Sequence, residues 1–297
     1  MNKNLQISII IIGYNTRADL LKLLESINLI NGSENILEVI YVDDGSSDDS
    51  YKQFKAFPMI FKKRSKKLNK NHGRAFATNS GIEMARGKWC FFVRSNEVLS
   101  PNIIIEYKKT MINKKMLAYM GLVKYKSSDS IFMKYLNDKR RGVGLKKGGE
   151  PIHYRFLLFN NSIIQTDACK QAGVNLNLRD YGGEELDFAY RLNCLYPNMI
   201  CACPTAVVYR NYYPSLKKHC SRLEEFGNKN LKKLPENLQS LIVGSCFLLR
   251  APVWVGYSIS ILYFFISFIN AGFPNPIYSF IRIQFLLAIL KGYYKTS

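Results

Sequence analysis

Acid is what this chain is short of. Against 42 Lys and Arg it sets 22 Asp and Glu, a formal charge of +20 over 297 residues. From residue 237 to the end there is no Asp or Glu, and residues 251–271 carry no charge of either sign. Such a field favours anionic partners: nucleic acid, an acidic membrane surface or a phosphate-bearing substrate. Cysteine is present but does not form a framework. The seven are an odd number, none makes a C-x-x-C pair, and Cys201 and Cys203 stand too close for an ordinary mutual bridge. The three histidines, His72, His153 and His219, have no ligand-like spacing. No small-residue cleavage site follows the first apolar run, so no signal peptide is read and a reducing cytoplasm is the expected compartment.

What is there begins with a β-branched run, Ile7-Ser8-Ile9-Ile10-Ile11-Ile12, ended by Gly13. Such a run marks a strand buried on both faces. Residues 17–29 place Leu20, Leu21, Leu23, Leu24 and Ile27 at helical spacing. A second strand over 37–42 is closed by Asp43-Asp44-Gly45-Ser46. Strand, helix and strand within so short a stretch imply a right-handed crossover and a parallel sheet. A helix over 74–85 and a buried strand over 89–93 extend the pattern. Variable loops are expected over 108–150, strand character over 156–166 and a helix over 184–195. In doubly wound sheets ligands sit at the C-terminal strand ends. That is where Tyr14, Asp43, Asp44, Arg94 and Asn96 fall.

The basic tract Lys62-Lys63-Arg64-Ser65-Lys66-Lys67 and Lys70 reads as a solvated loop. It lacks the interleaved aromatics of single-strand binders, so no nucleic acid is expected as a partner. Attraction to anionic lipid headgroups is the better functional reading. Residues 251–271, as a helix, would span about 30 Å, enough to cross a bilayer core. A turn is expected over 272–276, then a second apolar segment over 277–290 interrupted by Arg282. Membrane contact follows, either as a spanning hairpin or as helices lying in the interface. The bland reading is a helical subdomain packed on the rest.

Four motifs in order carry a resemblance. They are Ser8 to Asn15, ending Gly13-Tyr14-Asn15; Val42-Asp43-Asp44-Gly45-Ser46-Ser47-Asp48; Asn71-x-Gly73-x-Ala75-x-Ala77-x-Asn79-x-Gly81-Ile82 with Ala85-x-Gly87; and Gly183-Glu184-Glu185-Leu186-Asp187-Phe188-Ala189-Tyr190-Arg191-Leu192. Together they resemble the family 2 glycosyltransferases, inverting enzymes of the glycosyltransferase A fold. The resemblance implies a doubly wound, mostly parallel α/β catalytic domain over residues 1–210. A basic amphipathic connector at 211–240 and a hydrophobic helical, membrane-associating tail at 241–297 would follow. It implies a nucleotide-sugar donor and, for this chain, a lipid-linked or cell-envelope glycan acceptor at the cytoplasmic face of a membrane with anionic lipids.

The residue types suit that chemistry. Tyr14 offers a flat face to a nucleobase, beside Asn15, and Asp43 or Asp44 can accept from base N–H or ribose hydroxyl groups. Glu185 stands at the family's general-base position, where it would take the acceptor's proton, with Glu184 beside it and Asp187 orienting its neighbours. The departures concern the metal. Where the family has Asp-x-Asp, this chain has Arg94-Ser95-Asn96, and a late metal-binding His is replaced by Arg210. Asn96 and Glu97 are the only candidates left for a Mn or Mg ion. The expectation is that Arg94 and Arg210 meet the diphosphate directly, since guanidinium groups clamp phosphate oxygens in pairs. The alternatives are a catalytically degenerate relative that binds a nucleotide-sugar or a partner, and a distant third, a basic nucleic-acid binder.

Overall fold

The computed structural model describes residues 5–126, 131–211, 213–252, 254–272 and 278–295. The β-branched run becomes β1 (Ile7–Gly13), and alternation divides its side chains between two layers. Ile9 and Ile11 pack with Leu20, Leu23, Leu24 and Ile27 of α1 (Arg17–Asn28) on one face. Ile10 meets Ala75, Ala77 and Ile82 of α3 (Arg74–Met84) on the other. A Cβ added to Gly81 would sit 2.6 Å from Ile10 Cγ2, so a bare glycine is what lets α3 lie close on the sheet.

Eight strands form one mixed sheet in the order β3-β2-β1-β4-β7-β6-β8-β5. Its first four, β3 (Lys62–Lys67), β2 (Ile36–Asp43), β1 and β4 (Trp89–Arg94), run parallel. β7 (Ser162–Gln165) is antiparallel to both β4 and β6 (Ala118–Tyr125). β6 lies parallel to β8 (Ile200–Arg210), and the short β5 (Glu97–Leu99) closes the edge antiparallel to β8. In that last pairing Glu97 stands opposite Arg210. Around the sheet lie α2 (Ser50–Ala56), α4 (Ile103–Asn113), α5 (Ile131–Leu136), α6 (Thr166–Ala172) and α7 (Glu184–Leu195). The mostly parallel α/β architecture matches the expected fold class.

Three local expectations change. The basic tract is not a loop but the edge strand β3, carrying lysines where an unpaired edge would otherwise invite pairing. Its Lys63 ammonium bonds the carbonyls of Lys55 and Phe57 at 2.7 and 2.6 Å, closing the end of α2. Arg64 reaches the carbonyl of Met84 and the buried Glu38. Residues 108–150 hold α4, β6 and α5 rather than loops alone. Within 156–166 only β7 is strand.

Beyond β8 the chain adds α8 (Leu216–Lys229), α9 (Glu236–Val243), α10 (Trp254–Gly272) and α11 (Tyr278–Tyr294). Phe226 of α8, Leu238 of α9, Ile259 and Ile266 of α10, and Leu287 and Leu290 of α11 share one apolar core. α8 and α11 touch backbone to backbone: a Cβ on Gly227 would overlap the Ile289 carbonyl, and one on Gly292 the carbonyl of Glu224. Lys291 and Lys295 fasten the contact on Glu224 at 3.0 and 3.2 Å. No helix among the described residues is long and apolar enough to cross a membrane. The turn expected over 272–276 lies, after Gly272, outside the described residues.

Candidate active site

The strand ends place the first wall of the site. Asn15, at the end of β1, adopts a left-handed backbone (φ 52°) and its side-chain oxygen accepts from the Ser47 and Asp48 N–H groups. Asn15 thereby staples the first motif to the second. Asp43 is fully buried; it accepts from the Ser46 N–H at 2.7 Å and shapes the turn in which Gly45 takes φ 76°. Asp44 accepts from the His72 and Gly73 N–H groups at 2.8 and 3.0 Å. Burial nonetheless raises its carboxyl above the ordinary range against those bonds. Tyr14 stands 49% exposed above this wall.

The second wall is ionic. Gly183, with φ 92°, starts α7 and presents Glu184 and Glu185 at its positive end. Glu184 is buried and pairs with Arg74, the first residue of α3, at 2.5 Å, while its Oε2 is buried without a hydrogen-bond partner. Burial raises its carboxyl, with Arg74 opposing. Glu185 Oε1 accepts from Arg94 Nη2 at 2.8 Å and from the Phe159 N–H at 2.9 Å. Burial pushes that carboxyl up, but Arg94, Arg74 and the Phe159 N–H outweigh it and hold it below the usual range. Arg94 and Arg222 of α8 bring two more guanidiniums to the same cavity, and those of Arg74 and Arg222 lie 5.2 and 5.4 Å from the Tyr181 ring centre.

The two walls enclose a cavity of about 410 Å³. Tyr14, Asp44, Arg94, Asn96, Glu184, Glu185 and Arg210 line it, the first four of them at the strand ends where a ligand is expected. Asn15 and Asp43 stand behind it as supports. Asp187 is not among the lining residues: it holds Arg191 at 3.0 Å, and Arg191 in turn bonds the carbonyls of Ala172 and Gly173 at the end of α6. Sequence reasoning missed Arg74, Tyr181, Tyr213 and Arg222. The Gly-x-Ala motif that placed α3 had Arg74 inside it, a signal that was available.

The expectation for Arg210 needs correction. Its guanidinium bonds the Glu97 carboxylate, with 3% and 0% of the two side chains exposed. The Tyr125 and Tyr213 rings lie 5.5 and 5.9 Å away. The second oxygen of Glu97 accepts the Arg94 N–H at 2.8 Å. Arg210 is thus a strut at the edge of the site, and Arg94 is the guanidinium bonded to Glu185 in the cavity. The same bonds bear on a metal. A divalent ion at such a site is commonly held by one or two carboxylates, with waters and the substrate's phosphates completing its shell. Glu97 is consumed by Arg210, Asn96 is neutral, and among the described residues no group of three His, Cys, Asp or Glu is placed to hold an ion.

Comparison with known proteins agrees with this geometry. The model of the family described as "Glycosyl transferase family 2" matches residues 8–171, more than half of the chain. Glycosyltransferase GlyG of Streptococcus pneumoniae is 33% identical over 133 residues, 44% of this chain and 43% of that protein. The uncharacterized glycosyltransferase YibD of Escherichia coli is 33% identical over 103 residues, 35% of this chain and 29% of that protein. The matches thus cover less than half the length of these curated relatives. Among solved structures, S. aureus TarS 1–349 in complex with UDP-GlcNAc shares the fold at TM-score 0.57 and 15% identity, over 98% of this chain and 90% of that one. Mannosyltransferase PcManGT from Pyrobaculum calidifontis, in complex with GDP-Man and Mn2+, does so at TM-score 0.58 and 12% identity, over 78% and 64%. With its four motifs gathered at the ends of a glycosyltransferase A sheet, the chain belongs to glycosyl transferase family 2.

Proposed function

We propose that this chain is an inverting glycosyltransferase that moves a sugar from a nucleotide-sugar donor to a lipid-linked or cell-envelope glycan acceptor. Arg94, rather than a divalent ion, stands beside the diphosphate. The observation that carries the reading is the meeting of Tyr14, Asp44, Arg94 and Glu185 in one cavity at the strand ends of a family 2 chain. Tyr14 supplies a face for the nucleobase, and Asp44 an acceptor for its sugar or base hydrogens. Glu185 takes the proton of the acceptor hydroxyl as that oxygen attacks the anomeric carbon. The bond from that carbon to the diphosphate breaks on the opposite face, so configuration inverts. The charge growing on the leaving diphosphate is met by the Arg94 guanidinium.

Bound UDP-GlcNAc in TarS and GDP-Man in the mannosyltransferase support a nucleotide-sugar as ligand class. The Mn2+ of the latter belongs to that protein; Arg94 and Asn96 argue for a different arrangement here.

Membrane association rests on α10. Its inner face packs through Ile259 and Ile266, while Trp254, Tyr257, Ile261, Leu262, Phe264, Phe265 and Phe268 are exposed. A helix with an apolar, aromatic outer face and no acid in its own sequence suits the interface of an anionic bilayer, lying flat. That would hold the cavity at the cytoplasmic face, within reach of a lipid-linked acceptor.

The test is nucleotide release from a panel of UDP- and GDP-sugars by wild type and Glu185→Gln. The expected loss in the variant is about 10²–10⁴-fold, the worth of a general base. Equal rates would remove Glu185 from that role. The pairing of Glu185 with Arg94 favours a second reading, a binder without turnover, and binding with no release from any donor would select it. Flotation with anionic vesicles tests the tail: Phe264→Glu with Phe268→Glu should abolish it.

A further inference from the structure

In the empty site Arg94 and Glu185 compete with the ligands proposed for each of them, because they are bonded to one another. Glu185 is a weaker base while its Oε1 accepts from both the Arg94 guanidinium and the Phe159 N–H, since both favour the charged carboxylate. Arg94 offers a phosphate only part of its fork while its Nη2 is bonded to Glu185. One movement frees both: the guanidinium swinging off the carboxylate.

The surroundings are arranged for that movement. The backbone of Arg94 is fixed, since its N–H bonds the fully buried Glu97. Its side chain is not fixed to the same degree, being 31% exposed against 15% for Glu185. When the guanidinium leaves, the Phe159 N–H still holds Glu185 in place. Of the other cations lining the cavity, Arg210 is committed to Glu97 and Arg74 to Glu184, while Arg222 lies against the Tyr181 ring. A diphosphate brings two charges and paired oxygens, which suit a guanidinium fork better than one carboxylate oxygen does.

Resting on the reading of the cavity as a donor site, we propose that Arg94 is a latch on the base. In the empty enzyme it neutralises Glu185. An arriving donor diphosphate draws it away, so Glu185 becomes a stronger proton acceptor once the donor is in place. Arg94 then serves both ligands in order, donor first and acceptor second, with phosphate and carboxylate competing for one guanidinium.

Competition makes an unusual demand on binding. By calorimetry with UDP and with GDP on the full chain, Glu185→Gln should bind the accepted nucleotide about tenfold more tightly than wild type, a typical coupling for charged side chains in contact. Arg94→Gln should bind it about tenfold more weakly. In the double variant Arg94→Gln with Glu185→Gln, the gain should vanish. That last comparison separates a latch from mere removal of a nearby negative charge, which would tighten binding in either background. Arg94→Lys, which keeps the charge without the fork, should fall between wild type and Arg94→Gln and covers the case in which Arg94→Gln does not fold. Unchanged or weaker binding by Glu185→Gln, or a gain that persists without Arg94, overturns the latch and leaves the donor site standing. Failure of both nucleotides to bind wild type and Glu185→Gln overturns the donor site and the latch with it.

Discussion

The two walls of the cleft satisfy their polar groups in different ways. At the ends of β1 and β2, Asn15, Asp43 and Asp44 are bonded almost wholly to backbone N–H groups within two turns. Across the cavity, Arg74, Arg94 and Arg210 are bonded to the carboxylates Glu184, Glu185 and Glu97, pairs that join four separate stretches of chain. Backbone bonds leave little freedom to rearrange, so the first wall is a fixed template. Side-chain ion pairs can trade partners, and only those with some exposure can do so at modest cost. The second wall therefore contains both a rigid strut, Glu97–Arg210, and an exchangeable pair, Arg94–Glu185.

The largest effect should come from breaking the strut. Glu97→Ala strands a buried guanidinium and is expected to cost about 3–5 kcal/mol of stability by urea or thermal unfolding. Arg94→Gln, by contrast, breaks a less buried pair whose carboxylate keeps the Phe159 N–H, and should cost less than Glu97→Ala. Equal costs would erase the distinction between strut and latch.

Next comes the aromatic support beneath the second wall. His219 lies 4.8 and 5.5 Å from the Phe285 and Phe132 rings. Burial, with Arg141 and Arg222 nearby, lowers its imidazole from 6.5 to about 4. The unfolded chain binds this proton more readily, so stability should be intact above pH ~6.5 and fall as pH drops towards ~4. The loss at the acid end is roughly 3 kcal/mol, at about 1.4 per pH unit. His219→Phe should flatten that part of the stability–pH curve, and an unchanged slope would place the acid sensitivity elsewhere.

The first wall offers smaller and cleaner tests. Asp43→Ala removes a buried charged acceptor from the Ser46 N–H and should cost about 1.5–3 kcal/mol in unfolding experiments. Tyr14→Ala touches an exposed ring. It should leave the melting temperature unchanged while weakening nucleotide binding by about 1–3 kcal/mol, the worth of one base–aromatic stack. A stability loss without a binding loss would make Tyr14 a packing residue.

The contrast between the walls also explains what could be read in the sequence. β1, β2, β4, α1, α3 and α7 announce themselves through unbroken apolar runs or helical spacing, and the backbone-held wall is written in contiguous motifs. β3 is hidden because Lys62–Lys67 shows no apolar alternation; its side chains are satisfied by α2, α3 and β2 instead. α4 has the spacing Ile103, Ile104, Tyr107, Met111, but lysines obscure its second half. The role of Arg210 depends on β5 pairing with β8, which sets Glu97 opposite it, and no local pattern gives that register. Arg222 comes from a helix beyond the 8–171 span of the family match, so only the packing of α8 on the site reveals it. The uncharged tail had the length to cross a bilayer, but periodicity does not say which face of α10 finds partners in α11.

The central claim is that a side-chain cation, Arg94, meets the leaving diphosphate. It is tested most directly by following nucleotide release from the accepted donor with excess chelator, then with Mn2+ or Mg2+ added back. The account predicts a wild-type rate that chelation leaves unchanged and added metal does not raise, and a rate cut about tenfold or more in Arg94→Gln. Collapse of wild-type turnover on chelation, restored by either ion, would contradict it.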